Sequence, residues 1–179
     1  MALSRNEITN AALRILRKYG FADLSMRRIA ADLEVQPSAL YWHVHNKQEL
    51  LVLTATAILE HCRGEDLPQL ARSIRAALSS VRDGADVALI AVAASPEPLP
   101  GLAQIPPLLR GFGLSDQDAE WGAKTLEHHI LAAVAAEQNA EALGRDVDPL
   151  APEAFDFGVR AILKGLGAER GVVDEPVLF

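Results

Sequence analysis

Residues 24–51, LSMRRIAADLEVQPSALYWHVHNKQELL, contain two short helix patterns on either side of a tight turn. Ser25 can cap the first helix, in which apolar residues recur at helical spacing. Pro37 suits the first turn of the second helix, because its missing N–H falls where an amide has no intrahelical partner. The three residues EVQ at 34–36 form the turn between them. This arrangement predicts a helix-turn-helix unit.

Two further helix patterns flank this unit. Ser4 and Glu7 form a capping-box pattern before a helix that ends near Gly20, and Asn46 and Glu49 form another before a fourth helix. Helices this short are unstable alone, so they must share a small core. The predicted core residues are Ile15, Leu16, Phe21, Ile29, Leu33, Val35 and Leu40.

After Cys62 the pattern changes to longer, alanine-rich helices. Helices are predicted at 67–80, 84–94, 115–143 and 153–167, whereas five prolines within residues 95–107 predict a loop or a broken segment. No stretch alternates apolar and polar residues as a strand would. The sequence therefore predicts an all-α protein with a helix-turn-helix domain at 1–47 and a second helical domain at 48–179.

Composition and charge restrict the class of protein. The longest apolar run, 87–94, is far shorter than the roughly 20 residues needed to cross a bilayer, and no secretory-signal pattern is found. A soluble, cytoplasmic protein without a membrane partner is expected. The single cysteine, Cys62, excludes an intrachain disulfide and fits a reducing compartment.

The formal net charge of -7 argues at first against a nucleic-acid partner. The charge is unevenly distributed, however. Residues 1–50 contain seven basic and five acidic side chains, a balance of +2, so the rest of the chain carries -9. Such an asymmetry is typical of a small DNA-reading module attached to an acidic body.

The start of the second helix of the helix-turn-helix has side chains suited to DNA. Gln36 can donate and accept at a base edge, and the small residues at 37–39 allow close approach to a thymine methyl. Arg27, on the preceding helix, is long enough to reach guanine. Tyr41, His43 and Lys47 can hydrogen-bond to phosphate oxygens and fix the register. The predicted DNA-binding residues are Arg27, Gln36, Pro37, Ser38, Ala39, Tyr41, Trp42, His43 and Lys47.

The aromatic side chains at 41 and 42 have an alternative role, because most aromatics in soluble proteins pack in a core. We expect Leu40 to be core, and Trp42 to be partly so. Burial in the core is less expected for Tyr41, because so small a domain has little interior left for a second large ring.

The run from Ser4 to about Ala55 resembles the DNA-binding domain of the TetR family of bacterial transcriptional regulators, and LYWHVHNKQELL is most similar to its tetracycline-repressor branch. The resemblance implies an all-helical homodimer, with the helices at 115–143 and 153–167 forming a four-helix bundle with the partner. It implies a repressor that binds a palindromic DNA operator and is released by a small-molecule effector. It also implies base contacts from Arg27 and residues 37–39, and backbone contacts from Tyr41, His43 and Lys47.

Two positions depart from this family pattern. Glu34 stands where the family commonly has glycine in the turn, and a non-glycine residue tolerates positive φ poorly, so the turn is expected to be recast. Ala88 stands where the tetracycline branch has a metal-ligating histidine, and residues 91–93 replace its polar run. Alanine and valine offer magnesium no ligand, so no metal or cofactor is expected and tetracycline-magnesium is an unsuitable effector.

A small, largely apolar effector suits the residues that replace the tetracycline site. The predicted pocket residues are Ile74, Leu78, Val87, Ala88, Ala91, Val92, Phe112, Trp121 and His128. A structural or interface role for His128 and His129 remains the alternative, because helical periodicity cannot separate it from ligand contact. Core packing is likewise the alternative for Phe112 and Trp121.

The sequence supports two other functions less well. An enzyme would need a catalytic constellation, but the spacing of EHH at 127–129 lacks the i, i+4 histidine pair that places two ligands on one helix face. A helical small-molecule-binding or interaction protein with weak or lost DNA affinity is the stronger rival. Salt dependence would separate it from a DNA-binding regulator, because phosphate contacts weaken steeply as salt rises.

Overall fold

The computed structural model describes residues 3–167 and is helical throughout, without a strand in this part of the chain. The N-terminal region comprises α1 (Arg5–Tyr19), a 3-10 turn (Phe21–Asp23), α2 (Met26–Asp32) and α3 (Pro37–Leu40). α4 (Lys47–Leu59) packs against α1 on one side and against the body of the protein on the other. The predicted all-α fold is confirmed. The predicted boundary at 179 lies outside the described residues.

Side-chain caps begin the helices at the predicted places. The hydroxyl of Ser4 accepts the N–H of Glu7 at 3.2 Å, and that of Ser25 accepts the N–H of Arg28 at 3.2 Å. Asn46 caps α4 by accepting the N–H of Glu49 at 2.8 Å. Each cap satisfies an amide that has no intrahelical partner, so the start of each helix is encoded locally.

Three of the residues predicted for the small core of the N-terminal region are only partly buried: Phe21, Leu33 and Val35. Leu24 and Val44 are fully buried instead and complete the interior. The predicted residues that are buried are Ile15, Leu16, Ile29 and Leu40.

The body contains α5 (Leu67–Ser79), α6 (Gly84–Ala94), a 3-10 turn (Leu102–Gln104), α7 (Ile105–Gly111), α8 (Asp116–Ala142) and α9 (Ala151–Gly165). Of the two expectations for 95–107, a loop or a broken segment, the structure has the broken segment, because the 3-10 turn and the start of α7 lie within it. α7 has prolines 106 and 107 in its first turn, where the missing N–H groups cost no hydrogen bond. α9 likewise begins two residues before the predicted start, with Pro152 in its first turn.

The long helix α8 packs against α5, α6, α7 and α9 and organises the body. Gly158 of α9 lies so close to α8 that a Cβ there would be 2.2 Å from the ring of His129. Gly122 of α8 provides a similar close approach, because a Cβ there would be 2.8 Å from a Leu166 methyl. These glycines let the two last helices pack tightly. No described helix is long and apolar enough to span a membrane.

Candidate DNA-binding surface and effector site

The predicted DNA-binding side chains lie together on the outside of the N-terminal region. α3 is only four residues long, and Leu40 and Val44 point inward and are fully buried. Tyr41 is 49% exposed and Trp42 is 86% exposed, so the expectation that Trp42 is partly core is wrong. Arg27, Gln36, Pro37, Ser38 and Lys47 are also exposed, while Ala39 and His43 are half-buried.

Hydrogen bonds anchor the segment after α3 to α1. Arg5 donates from Nε to the carbonyl of His43 at 2.9 Å and from Nη2 to Glu49 at 2.8 Å. The other oxygen of Glu49 accepts the backbone N–H of His45 at 2.7 Å and lies 2.8 Å from its Nδ1. The backbone N–H and the ring of His45 hold the pKa of Glu49 below its usual value. The sequence indicated Glu49 only as a capping residue, and no pattern pointed to Arg5.

The turn between α2 and α3 keeps the left-handed geometry that glycine would give it. Glu34 has φ of 54°, so the expectation of a recast turn is wrong. The N–H of Val35 donates to the carbonyl of Ala30 at 2.9 Å, as in a Schellman motif at the end of a helix. Glu34 therefore takes up a conformation that costs a side-chain-bearing residue roughly 1–2 kcal/mol.

The two adjacent arginines of α2 have different surroundings. Arg28 donates to Asp23 at 2.6 Å, and its guanidinium lies 3.9 Å from the ring centroid of Tyr19. The positive charges of Lys18 and Arg28 beside the ring lower the pKa of Tyr19. Arg27 is exposed and forms no ion pair with any residue from 3 to 167. Arg27 is therefore the arginine of α2 that is available to a DNA base.

A single side chain joins the N-terminal region to the α5–α6 turn. Asp83, with φ of 56°, accepts the backbone N–H of Phe21 through Oδ2 at 2.6 Å. Gly20 has φ of 85°, and a Cβ there would lie 2.6 Å from that same oxygen. The sequence indicated Gly20 only as a helix stop. In the structure, its missing side chain also lets Asp83 reach the backbone.

Gln138 of α8 holds the same turn from the other side. Its Nε2 donates to the carbonyls of Leu78 at 3.2 Å and Val81 at 2.8 Å. Its Oε1 accepts the N–H of Ala85 at 3.0 Å. One side chain thus satisfies carbonyls at the end of α5 and an amide at the start of α6. Sequence reasoning missed it, because a glutamine inside a long helix has no distinguishing pattern.

The predicted effector-pocket residues do not form one site in this structure. Five of them lie in the packed interior between α5, α6 and α8 and are fully buried: Ile74, Leu78, Val87, Ala88 and Ala91. Val92 and Phe112 are half-buried. Trp121 is 64% exposed and His128 is also exposed, so both lie on the outer face of α8, away from that interior.

His129 has the structural role that was the alternative to ligand contact. Its Nε2 lies 3.1 Å from the carbonyl oxygen of Phe155, and its ring stacks on the Phe155 ring with centroids 5.4 Å apart. The contact between His129 and Phe155 stabilises the packing of α8 against α9.

An open cavity of about 210 Å³ lies beside the predicted pocket, between the end of α6, the segment 95–99 and the first half of α8. Of the predicted residues only Val92 lines it. In residues 3–167 no three His, Cys, Asp or Glu side chains gather as ligands for a metal ion. The bulk of the predicted lining is therefore a filled core, and this cavity lies toward the proline-rich segment.

A short exposed recognition segment on a three-helix core, joined to a larger helical body, defines a helix-turn-helix DNA-binding regulator. Residues 8–53 match the family model for bacterial regulatory proteins of the tetR family, and residues 63–153 match that for the tetracyclin repressor-like C-terminal domain. The chain belongs to the TetR family, as the resemblance in the first helices predicted.

Relatives of this chain are similar over nearly their whole length. The tetracycline repressor protein class E of Escherichia coli is 30% identical, over 93% of this chain and 92% of the repressor. The structure of BioQ with its natural double-stranded DNA operator has a TM-score of 0.80 and 32% identity, covering 93% of this chain and 99% of BioQ. ActR of Streptomyces coelicolor in complex with (S)-DNPA has a TM-score of 0.79 and 26% identity, covering 96% and 100%.

Proposed function

We propose that this protein is a ligand-responsive transcriptional repressor that binds a palindromic operator as a homodimer and acts in the cytoplasm. The observation that carries the proposal is the exposed surface of Arg27, residues 36–38, Tyr41 and Trp42. Arg5 and Glu49 fix the segment that follows it by hydrogen bonds to the backbone at residues 43–45. A large aromatic that is 86% exposed is costly in water and suits a surface that meets a partner. The operator complex of BioQ supports double-stranded DNA as that partner.

The outer faces of α8 and α9 support the homodimer. An exposed stripe at helical spacing runs along α8: Trp121, Thr125, His128, Ala132, Ala136 and Asn139. On α9, Ala154, Phe157 and Ala161 form a second exposed stripe, in which Phe157 is 67% exposed. Small residues between large aromatics allow helices to pack closely across a two-fold axis. Two DNA-reading units so joined bind two half-sites of a palindrome.

The effector we propose is small and largely apolar, and it is not tetracycline-magnesium. Ala88 and Ala91 are fully buried and offer no ligand atom to a metal chelate. The ligand complex of ActR supports a small molecule as the regulator of such a fold. A ligand releases DNA only if it binds the DNA-incompetent state more tightly, and DNA must then weaken ligand binding by the same factor.

Fluorescence anisotropy tests the DNA-binding function. The protein is titrated into labelled DNA from the region upstream of its own gene at two salt concentrations, with unrelated DNA as the control. Selective binding that weakens steeply with salt is expected. Binding no tighter than to the control DNA would favour the rival function, a helical ligand-binding protein with lost DNA affinity, to which the acidic body would be suited.

The oligomeric state is tested separately by sedimentation velocity. The wild type is expected to sediment as a dimer and Phe157→Asp as a monomer, because the aspartate would bury a charge in the interface. Glu65→Gln, an exposed change in the loop before α5, serves as the control. A Phe157→Asp variant that remains dimeric would place the interface elsewhere.

A further inference from the structure

The open cavity at the end of α6 has an apolar floor. Leu99, Leu102 and Ala123 are buried there, and Val92 is half-buried beside them. A concave apolar surface suits the body of a small ligand, and the polar groups at its edge then select the head group. The charges at the edge therefore determine which class of ligand fits.

The edge of the cavity carries more negative than positive charge. On the α8 wall, Lys124 donates to Glu127 at 2.6 Å, and Arg110 donates to Glu120 at 2.8 Å and also to a neighbouring aspartate at 2.7 Å. Across the opening, Glu97 lines the cavity and forms no ion pair with any described residue. The mouth is therefore negative, and Glu97 is its carboxylate that has no cation within residues 3–167.

The backbone around Glu97 is held in place before any ligand arrives. The hydroxyl of Ser95 accepts the N–H of Glu97 at 3.3 Å and donates to its carbonyl at 2.6 Å. Pro96 and Pro98 stand on either side, and each fixes its own φ. A wall that is already ordered loses little conformational entropy when a ligand binds.

We propose that this cavity binds a small organic monocation with an apolar body. The ammonium group pairs with Glu97 at the mouth, and the apolar part lies on the floor formed by Val92, Leu99 and Ala123. A neutral ligand of the same shape would leave the Glu97 charge without a partner, and an anion would be repelled by it. As a statement about the effector, this inference rests on the proposed function.

The position of the cavity also connects it to the DNA-binding region. Pro96 lines the cavity. On its other side, Pro96 lines a second small cavity together with Asn46, Glu49 and Val52 at the start of α4. Glu49 is the side chain that Arg5 uses to anchor the recognition segment. A ligand that shifts the ordered segment 95–98 as a unit therefore acts on the first turn of α4, next to Lys47.

The test is isothermal titration calorimetry of the full-length, DNA-free protein with three probes that differ only near the head group: 2-phenylethylammonium, 2-phenylethanol and phenylacetate. The ammonium is expected to bind about two- to fivefold more tightly than the alcohol, and phenylacetate most weakly. The preference for the ammonium over the alcohol should decrease as the salt concentration rises, because Glu97 is exposed and its charge is screened.

Two variants locate the binding. Glu97→Gln should remove the preference for the ammonium while leaving the alcohol unchanged, and Val92→Phe should fill the floor and weaken all three probes. Glu141→Gln is the matched control, since it lies 14 residues, about 21 Å, beyond Glu127 along α8. Equal binding of ammonium and alcohol, a preference that persists in Glu97→Gln, or no binding of any probe would each overturn the inference.

A second readout separates this inference from the proposed function. The ammonium probe is added to the protein–operator complex in the anisotropy assay, where release of DNA is expected. If calorimetry gives the Glu97-dependent preference but DNA is not released, the ligand class stands and the regulatory role of the cavity fails. If the protein binds no operator at all, calorimetry still decides the cavity proposal.

Discussion

Side chains of the DNA-binding surface and side chains of the interior of the body differ in their exposure and in their contacts within the protein. The side chains proposed to contact DNA are exposed and have few partners within the protein, whereas those between α5, α6 and α8 are fully buried or hydrogen-bonded across helices. A substitution in the first region should change affinity and leave stability intact. A substitution in the interior should mainly change the free energy of unfolding.

The largest effect is expected from Arg27→Ala. Each half-site of the operator would lose a base contact worth about 1–3 kcal/mol, so a dimer should bind roughly 30-fold more weakly or worse. The melting temperature should not change, because Arg27 is exposed and forms no ion pair within residues 3–167. Anisotropy at fixed salt gives the affinity, and Arg145→Ala, an exposed arginine beyond α8, is the control. Wild-type affinity in Arg27→Ala would show that α2 does not face the bases.

The sequence predicted the helix caps and the exposed DNA-binding segment better than it predicted the buried contacts of the body. Caps act within three residues, so Ser4, Ser25 and Asn46 predicted their helix starts correctly. The exposure of the DNA-binding segment was also largely predictable, except at Trp42, because polar and aromatic side chains after a tight turn have nowhere to be buried.

Side chains that bridge distant parts of the chain could not be predicted. Gln138 contacts residues more than fifty positions away, and Asp83 contacts Phe21 across sixty-two positions. The periodicity of α8 predicted a helix but did not assign its faces, so Trp121 and His128 were placed in the pocket although they lie outside. The cavity depends on how the proline-rich segment packs on α8, and no local pattern encodes that.

The second prediction concerns the interior. Gln138→Ala removes two N–H donors and one acceptor that hydrogen-bond to three backbone groups at the α5–α6 turn. Leaving the Ala85 amide without its partner, and weakening the bonding of the two carbonyls, should lower the free energy of unfolding by about 1–3 kcal/mol. Denaturant titration measures the loss, with Gln117→Ala, an exposed glutamine in the first turn of α8, as the control. Equal stability of the two variants would mean that water replaces Gln138 at no cost.

The third prediction concerns the contact between the two regions. Asp83→Ala removes the acceptor for the Phe21 amide and places alanine at φ of 56°, which should cost about 1–2 kcal/mol. Asp83→Asn keeps a side-chain oxygen and tolerates the left-handed conformation, so it should stay close to wild type. Thermal unfolding distinguishes them. If both variants lose the same stability, the charge of Asp83 rather than its hydrogen bond is what matters.

The smallest effect is expected at Glu34, and it has the opposite sign. Glycine removes the cost of φ near 54° but adds flexibility to the unfolded chain, so Glu34→Gly should gain about 0.5–1 kcal/mol and melt roughly 1–4 °C higher. Glu34→Ala removes the same charge but keeps a Cβ, so it should melt no higher than wild type. A gain in both variants would instead assign the effect to the lost carboxylate. Operator affinity should stay unchanged in Glu34→Gly, because the turn already has the geometry that glycine would adopt.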